Sequence, residues 1–187
     1  MSTNKSTDRQ KRAAATDALE LLRADHEKVK NLFREFETLR GNDEEDERKS
    51  ELVDEICYEL TLHSMLEEEI FYPVLRSAIQ DDDMMDEADV EHAGARELIS
   101  QLEVMYPGDD HFDATVTVLG EEIEHHIEKE EGEMFEAART AGIDLDELGE
   151  QLTARKEELD EDLTSPPTSI DAMEPRSSVR WPSRPPN

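Results

Sequence analysis

Apolar residues recur along this chain at steps of three and four residues, in segments separated by glycine, proline or acidic turn sequences. This period places the apolar side chains on one face of an α-helix, where they can pack against other helices. The first helix is predicted over residues 13–40, and Gly41 ends it. The second begins near residues 43–47, and Pro73 is expected to kink or end it because a proline inside a helix removes a hydrogen bond.

The second half of the chain continues the same pattern. A third helix is predicted from about residues 82–84 to Tyr106, where the sequence PGDD follows as a turn. A fourth runs from Phe112 to about Gly142, and a shorter fifth covers about residues 144–159. Four long amphipathic helices with short connections predict an all-α fold, an antiparallel up-down four-helix bundle followed by a short fifth helix.

Both ends of the chain differ in composition from this predicted domain, which covers residues 13–163. Residues 1–12 are polar, and residues 164–187 are rich in proline, serine and arginine. Such segments bury too little apolar surface to offset the entropy of ordering, so both are predicted to be disordered. Trp181 lies among arginines, but an unconstrained tail is the preferred interpretation and no protein partner is identified.

Charge and cysteine content limit the classes of partner and compartment. The formal net charge of −30 at pH 7 argues against nucleic acid and anionic membranes as partners, since both repel an acidic surface. The single cysteine, Cys57, excludes an internal disulfide and fits a reducing compartment. No segment approaches the ~20 apolar residues of a membrane span, and the N-terminus does not resemble a signal peptide. We therefore expect a soluble cytoplasmic protein.

Polar residues interrupt the apolar faces at six positions. The pattern H-x-x-x-E occurs twice, at His63 and His126, and positions i and i+4 lie on the same face of a helix. Each of the four long helices contributes one histidine to the set, which is His26, His63, Glu67, His92, His126 and Glu130. Burying these groups without partners would cost several kcal/mol each, whereas a bound metal ion would stabilise them.

The positions of the histidines along an antiparallel bundle support this interpretation. In such a bundle, residues that are equally far along the sequence from a connection lie at the same level. The mean of the residue numbers of His26 and His63 is 44.5, which falls inside the first connection. The midpoint of His92 and His126 is 109, inside the PGDD turn. The midpoint of His63 and His92 is 77.5, whereas the acidic turn lies at 81–83. Either the second helix ends soon after Pro73, or its connection folds back over the end of the bundle.

The residue types narrow the identity of the metal. Four imidazoles and two carboxylates without a thiolate suit iron or manganese better than a structural zinc site. A dinuclear centre bridged by Glu67 and Glu130 would leave a position open for a small ligand. His125 competes with its neighbour as the fourth histidine, but His126 is preferred because Glu130 follows it by one helical turn.

Four segments, RADHEKVKNLFREFE, ELTLHSMLEEEIFYPVL, DVEHAGARELI and IEHHIEKEEGEMF, resemble the hemerythrin-like (HHE cation-binding) family over about residues 17–140. The resemblance implies a four-helix bundle around a non-haem di-iron site, with the six residues above as ligands and iron favoured over manganese. Oxygen-carrying hemerythrins have a fifth histidine where this chain has Arg96, and an aspartate, not Glu130, as the last carboxylate. The chain therefore resembles the branch with four histidines and two glutamates.

Two functions follow from this resemblance. The first is a binding or sensing protein for dioxygen, another diatomic ligand or iron itself; the alternative is a di-iron enzyme that handles peroxide or nitric oxide. Other polar residues receive plainer interpretations. Core packing is preferred for Tyr72 and Tyr106 over a place near the site as hydrogen-bond donors. Glu68 and Glu131 are interpreted as solvated flanks in preference to groups that guide cations inward, and Cys57 as a structural thiol.

Overall fold

A computed structural model describes residues 17–79 and 81–164, which fold into helices with no β-strand among them. The prediction of an all-α fold is therefore confirmed. The α-helices, numbered here in chain order, are α1 (Ala18–Leu39), α2 (Asp46–Leu66), α3 (Tyr72–Ala78), α4 (Asp82–Leu102), α5 (Phe112–Lys129), α6 (Phe135–Thr140) and α7 (Leu145–Thr164).

Two five-residue π-helical turns join these helices into longer units. Glu67–Phe71 connects α2 to α3, and Glu130–Met134 connects α5 to α6. Pro73 therefore does not end the second helix, because it lies in the first turn of α3, just after the π-turn, where a proline is tolerated. The second π-turn contains no proline, so proline is not its cause. π-turns are rare and frequently occur at functional sites.

The ends of the helices follow local sequence signals. Asp17 caps α1 and Asp81 caps α4, each by accepting a hydrogen bond from a backbone N–H of the first turn. The predicted extension of the third helix to Tyr106 is wrong: α4 ends at Leu102, and Tyr106 is 72% exposed in the following loop. The fifth helix is longer than predicted and includes Thr164, the first residue of the predicted tail.

The helices pack pairwise and enclose two hydrophobic clusters. α1 lies against α2 and α5, α4 lies against α5 and α2, and α7 packs across α1 and α2. One cluster contains Leu22, Phe71 and Phe135 together with residues of α7, and the other contains Val29, Ile56 and Leu119. The predicted ligands lie where the helical units pass from one cluster to the other, as with His26 between Leu22 and Val29 and His92 between Ala88 and Ala95, so a polar layer separates the two clusters.

Some predictions fall outside these observations. The predicted disorder of residues 1–12 and 165–187 lies outside the described residues, and the domain limits stay a prediction. Among residues 17–79 and 81–164, no helix is long and apolar enough to cross a membrane.

Candidate metal centre

The six predicted residues converge in the polar layer. Their side chains come from all four long helical units, and none is more than 6% exposed: His26, His63, Glu67, His92, His126 and Glu130. Among the described residues, two groups of these side chains could each hold a metal ion, with ligand atoms within 4.8 Å of one another. The first group is His26, His63, Glu67 and Glu130; the second is Glu67, His92 and His126.

The histidines form two pairs, and Glu67 lies between them. The Nε2 atoms of His26 and His63 are 3.1 Å apart, and those of His92 and His126 are 3.2 Å apart. Glu67 places Oε1 3.0 Å from Nε2 of His63 and Oε2 3.3 Å from Nε2 of His92. Because its two oxygens face different pairs, Glu67 has the geometry of a bridging carboxylate.

Glu130 lies beside the first pair, with Oε2 3.1 Å from Nε2 of His26. The sequence predicts that Glu130 also bridges, but only Glu67 belongs to both groups in this arrangement. The backbone of Glu130 begins the second π-turn, just as that of Glu67 begins the first. The two H-x-x-x-E sequences therefore have the same local structure, with each glutamate at the change from α-helix to π-turn.

Buried oxygens in this layer lack hydrogen-bond partners among the described residues. Oε1 of Glu67 and both carboxylate oxygens of Glu130 are buried without a hydrogen-bond partner. Histidine nitrogens nevertheless lie near 3 Å from two of these oxygens. The distances are short but the directions do not suit hydrogen bonds, as expected for lone pairs that converge on a common point. Unpaired buried oxygens are costly, and a cation would satisfy them. The donor set thus fits a metal.

A second set of carboxylates faces the outer nitrogens of the histidines. Nδ1 lies 2.9 Å from a carboxylate oxygen in three cases: His26 with Glu131, His92 with Glu68, and His126 with Glu91. Such a contact fixes the tautomer with the proton on Nδ1 and leaves Nε2 free to bind a metal. In the fourth case the facing carboxylate oxygen, Oδ2 of Asp25, is 3.9 Å from Nδ1 of His63.

These contacts correct the interpretation of Glu68 and Glu131 as solvated flanks. Each directly follows a predicted glutamate ligand, and this repeated E-E pair in both segments is the sequence signal that could have identified them. Glu91 belongs to no such repeat, and its partner His126 lies on another helix, so the sequence does not indicate this contact. Arg96, at the position of the missing fifth histidine, donates from Nη1 to Oε1 of Glu68 at 2.5 Å and thereby supports the carboxylate beside His92.

Tyr72 is a further correction, since the sequence favoured core packing for it. Its buried hydroxyl lies 3.3 Å from Oε2 of Glu67, 3.3 Å from Nε2 of His92 and 3.5 Å from Nε2 of His126. A tyrosine five residues after Glu67 reaches the site because the π-turn lies between them. Tyr106, by contrast, is exposed.

The competing histidine points elsewhere. The side chain of His125 is 67% exposed, and its Nδ1 lies 3.8 Å from Glu91. The side chain of His126 is 5% exposed and faces His92. The structure thus brings His126, and not His125, into the polar layer.

Charge in the layer is shared between carboxylates and imidazoles. Burial opposes ionisation of Glu67, but His63 and then His92 outweigh it and hold the pKa of Glu67 well below its usual value. Burial and the neighbouring charge of Glu67 raise the pKa of Glu130. Burial opposes protonation of His63 and His92, yet Glu67 and the other nearby carboxylates raise their pKa values to about 10 and about 9. The layer therefore attracts positive charge.

Comparison with known proteins identifies the family. The model of the Hemerythrin HHE cation binding domain matches residues 17–138. This chain belongs to that family, which confirms the resemblance seen in the sequence. The match includes all six residues of the polar layer and ends before α7.

Relatives of known sequence differ in length. A DNA nickase of Nostoc sp. is 31% identical over 120 residues, which are 64% of this chain and 33% of that protein. The chain thus spans about a third of the length of that relative. The uncharacterized protein Rv2633c of Mycobacterium tuberculosis is 29% identical over 153 residues, which are 76% of this chain and 87% of that protein.

A solved structure supports the same fold. The crystal structure of a Hemerythrin HHE cation binding domain-containing protein from Mycobacterium kansasii, the Rv2633c homolog, matches with a TM-score of 0.66 and 27% identity. The match covers 80% of this chain and 94% of that chain. Together with the family match, it shows a hemerythrin-like helical fold with histidine and glutamate clusters that could bind metal.

Proposed function

We propose that this protein binds two iron ions in a non-haem di-iron centre and uses them to bind or sense dioxygen, another small diatomic ligand or iron. The observation that carries the proposal is Glu67, whose two oxygens face two separate histidine pairs. In this proposal the centre lies in an antiparallel up-down four-helix bundle. The pairwise packing of α1 with α2 and of α4 with α5, each across a short connection, supports that arrangement.

Each ion would have its own histidine pair. His26 and His63 would hold one ion and His92 and His126 the other, with Glu67 bridging and Glu130 completing the first group. Nitrogen and oxygen donors without a thiolate favour iron, with manganese as the less favoured choice. Bound iron would supply redox chemistry and an open coordination position, while the hydrophobic clusters on both sides of the layer exclude bulk water.

A second candidate is an enzyme that handles peroxide or nitric oxide, and Tyr72 favours it. Its hydroxyl is a buried proton donor among Glu67, His92 and His126, whereas sequence reasoning found no acid–base group apart from the ligands. A hydroxyl at this place could donate a hydrogen bond or a proton to a small ligand. The nickase activity named for the Nostoc relative is not part of the proposal, because a net charge of −30 opposes binding to DNA.

Iron loading of paired histidine variants tests the proposal. Chelator-treated protein is titrated with iron(II) without oxygen and then exposed to air, and bound iron and the absorption spectrum are measured. We expect two irons per chain and an oxo-to-iron absorption band. His126→Ala should bind fewer than two irons, whereas the matched control His125→Ala, one residue away and exposed, should bind two. Equal loading of both variants, or no loading of the wild type, would contradict the assignment.

Peroxide and nitric oxide turnover separates the two candidates. If the protein is an enzyme, Tyr72→Phe should retain two irons but turn over more slowly, because only the hydroxyl is removed. A binding or sensing protein would show reversible ligand spectra without sustained turnover in either form.

A further inference from the structure

Helix α7 reaches the candidate metal centre through one ion pair. Lys156 donates from Nζ to Oδ1 of Asp25, a residue of α1 that is 8% exposed. Asp25 is the carboxylate that faces the outer nitrogen of His63. The family match ends at residue 138, so this contact comes from a part of the chain beyond the matched domain.

The contact is unlike the other three contacts between a carboxylate and a histidine. Glu68, Glu91 and Glu131 each reach a histidine Nδ1 at 2.9 Å, and each also has a basic partner. Oδ2 of Asp25 stays 3.9 Å from Nδ1 of His63. These two atoms are buried and have no hydrogen-bond partner among the described residues. Of these four contacts, the wider separation therefore occurs only between Asp25 and His63, where the carboxylate is bound by a residue of α7.

The position of Lys156 explains the gap. An aspartate side chain is one methylene shorter than the three glutamates, and one of its oxygens is fixed by Lys156. Lys156 cannot simply follow Asp25 toward His63, because α7 is anchored on both sides of it. Leu152 and Leu159, which lie on either side of Lys156 along α7, are buried against the bundle.

We propose that Lys156 is a positioning residue that holds Asp25 away from His63 and so lowers the metal affinity of the His26–His63 position. The proposal rests on the proposed two-ion centre. A carboxylate on Nδ1 orients an imidazole and increases its basicity as a ligand, and loss of such a partner typically costs ~10–100-fold in metal affinity. Both histidines of the second position have this partner, but only one histidine of the first position has it.

Cobalt(II) titration of the chelator-treated full chain, followed by visible absorption, tests this inference. The wild type should bind two ions, and the step that His63→Gln removes belongs to the His26–His63 position. Lys156→Met frees Asp25 to approach His63, so this first-position step should tighten by ~10-fold. The matched control Arg155→Met removes the neighbouring ion pair with Glu69 but leaves Leu152 and Leu159 to hold α7, so both steps should stay unchanged.

A double-mutant cycle separates positioning from loss of structure. In an Asp25→Asn background the further change Lys156→Met should have no effect on the first-position step, because the carboxylate that Lys156 positions is gone. Thermal unfolding of the chelator-treated variants reports the structural cost separately, and Lys156→Met should be less stable than Arg155→Met because it leaves the buried Asp25 without its basic partner.

The possible failures are distinguishable. If the wild type binds no cobalt, the proposed function fails and this inference fails with it. If the wild type binds two ions but Lys156→Met leaves the first-position step unchanged, or Arg155→Met tightens it equally, only the role of Lys156 is refuted.

Discussion

Glu67 and Glu130 are both fully buried, yet the structure predicts opposite effects when each is replaced by glutamine. Glu67 is held ionised by His63 and His92, which lie 3.0 and 3.3 Å from its oxygens. Removing its charge leaves two imidazoles with raised pKa values without their main partner. Breaking a buried pair in this way costs ~3–5 kcal/mol, and we take the lower limit because glutamine keeps the shape.

The surroundings of Glu130 disfavour its ionised form, in contrast to those of Glu67. Its pKa is raised by burial and by Glu67, so its charge destabilises the folded state at pH 7. A folded pKa above the unfolded value adds stability only below the unfolded pKa and loses it as the pH rises. Neutral glutamine removes this cost, so Glu130→Gln should change the free energy of unfolding by less than ~1 kcal/mol or should stabilise.

Thermal unfolding of the chelator-treated variants at pH 7 measures both effects. At ~2–4 °C per kcal/mol for a domain of this size, Glu67→Gln should unfold about 6–12 °C lower than the wild type, and Glu130→Gln within about 4 °C of it or higher. Both variants should fail to bind two ions. Equal destabilisation of the two variants would refute the assigned distribution of charge.

Two further predictions concern groups with shifted pKa values. Burial raises the pKa of the Cys57 thiol to about 12, so at pH 8 it should react with a disulfide reagent at least ~100-fold more slowly than in the urea-unfolded chain; a fast reaction in the folded protein would contradict its structural role. His63 and His92, with pKa values raised to about 10 and about 9, should both be protonated at pH 7.5 in chelator-treated protein, and metal binding requires neutral imidazoles. Calorimetry in two buffers of different ionisation enthalpy should therefore show release of about two protons per chain and an affinity that falls as the pH falls; no proton release would exclude this competition.

The helical period and the inward histidines were accessible from sequence because both depend on residues three and four positions apart. The level argument failed only between His63 and His92, where neither expected path is observed. α3 continues to Ala78, and only residues 79–81 connect it to α4. The midpoint of Glu67 and His92 is 79.5, inside that connection, so Glu67 is the residue level with His92. This arrangement explains why Glu67 reaches both histidine pairs.

The outer contacts could not be derived in the same way. Tyr72 reaches the centre through a π-turn, and helical periodicity assumes a constant 3.6 residues per turn. Glu91 and Lys156 act on residues of other helices, so their roles depend on how the helices are rotated against one another. A single sequence contains no direct signal of that rotation.

The outer carboxylates also define a direction around the bundle. Asp25 of α1 faces His63 of α2, and Glu68, which follows α2, faces His92 of α4. In turn, α4 supplies Glu91 to His126 of α5, and Glu131, which follows α5, returns to His26 of α1.

Three of the four helical units therefore orient the histidine of the next, whereas Asp25 only faces His63, and the order of these steps returns to its start after four. A rotation of α2, α4 or α5 about its axis would displace its own histidine and also release the histidine of its neighbour. The centre should consequently assemble or come apart as a unit, and the widest of these steps, at Asp25 and His63, is the place where it would open first.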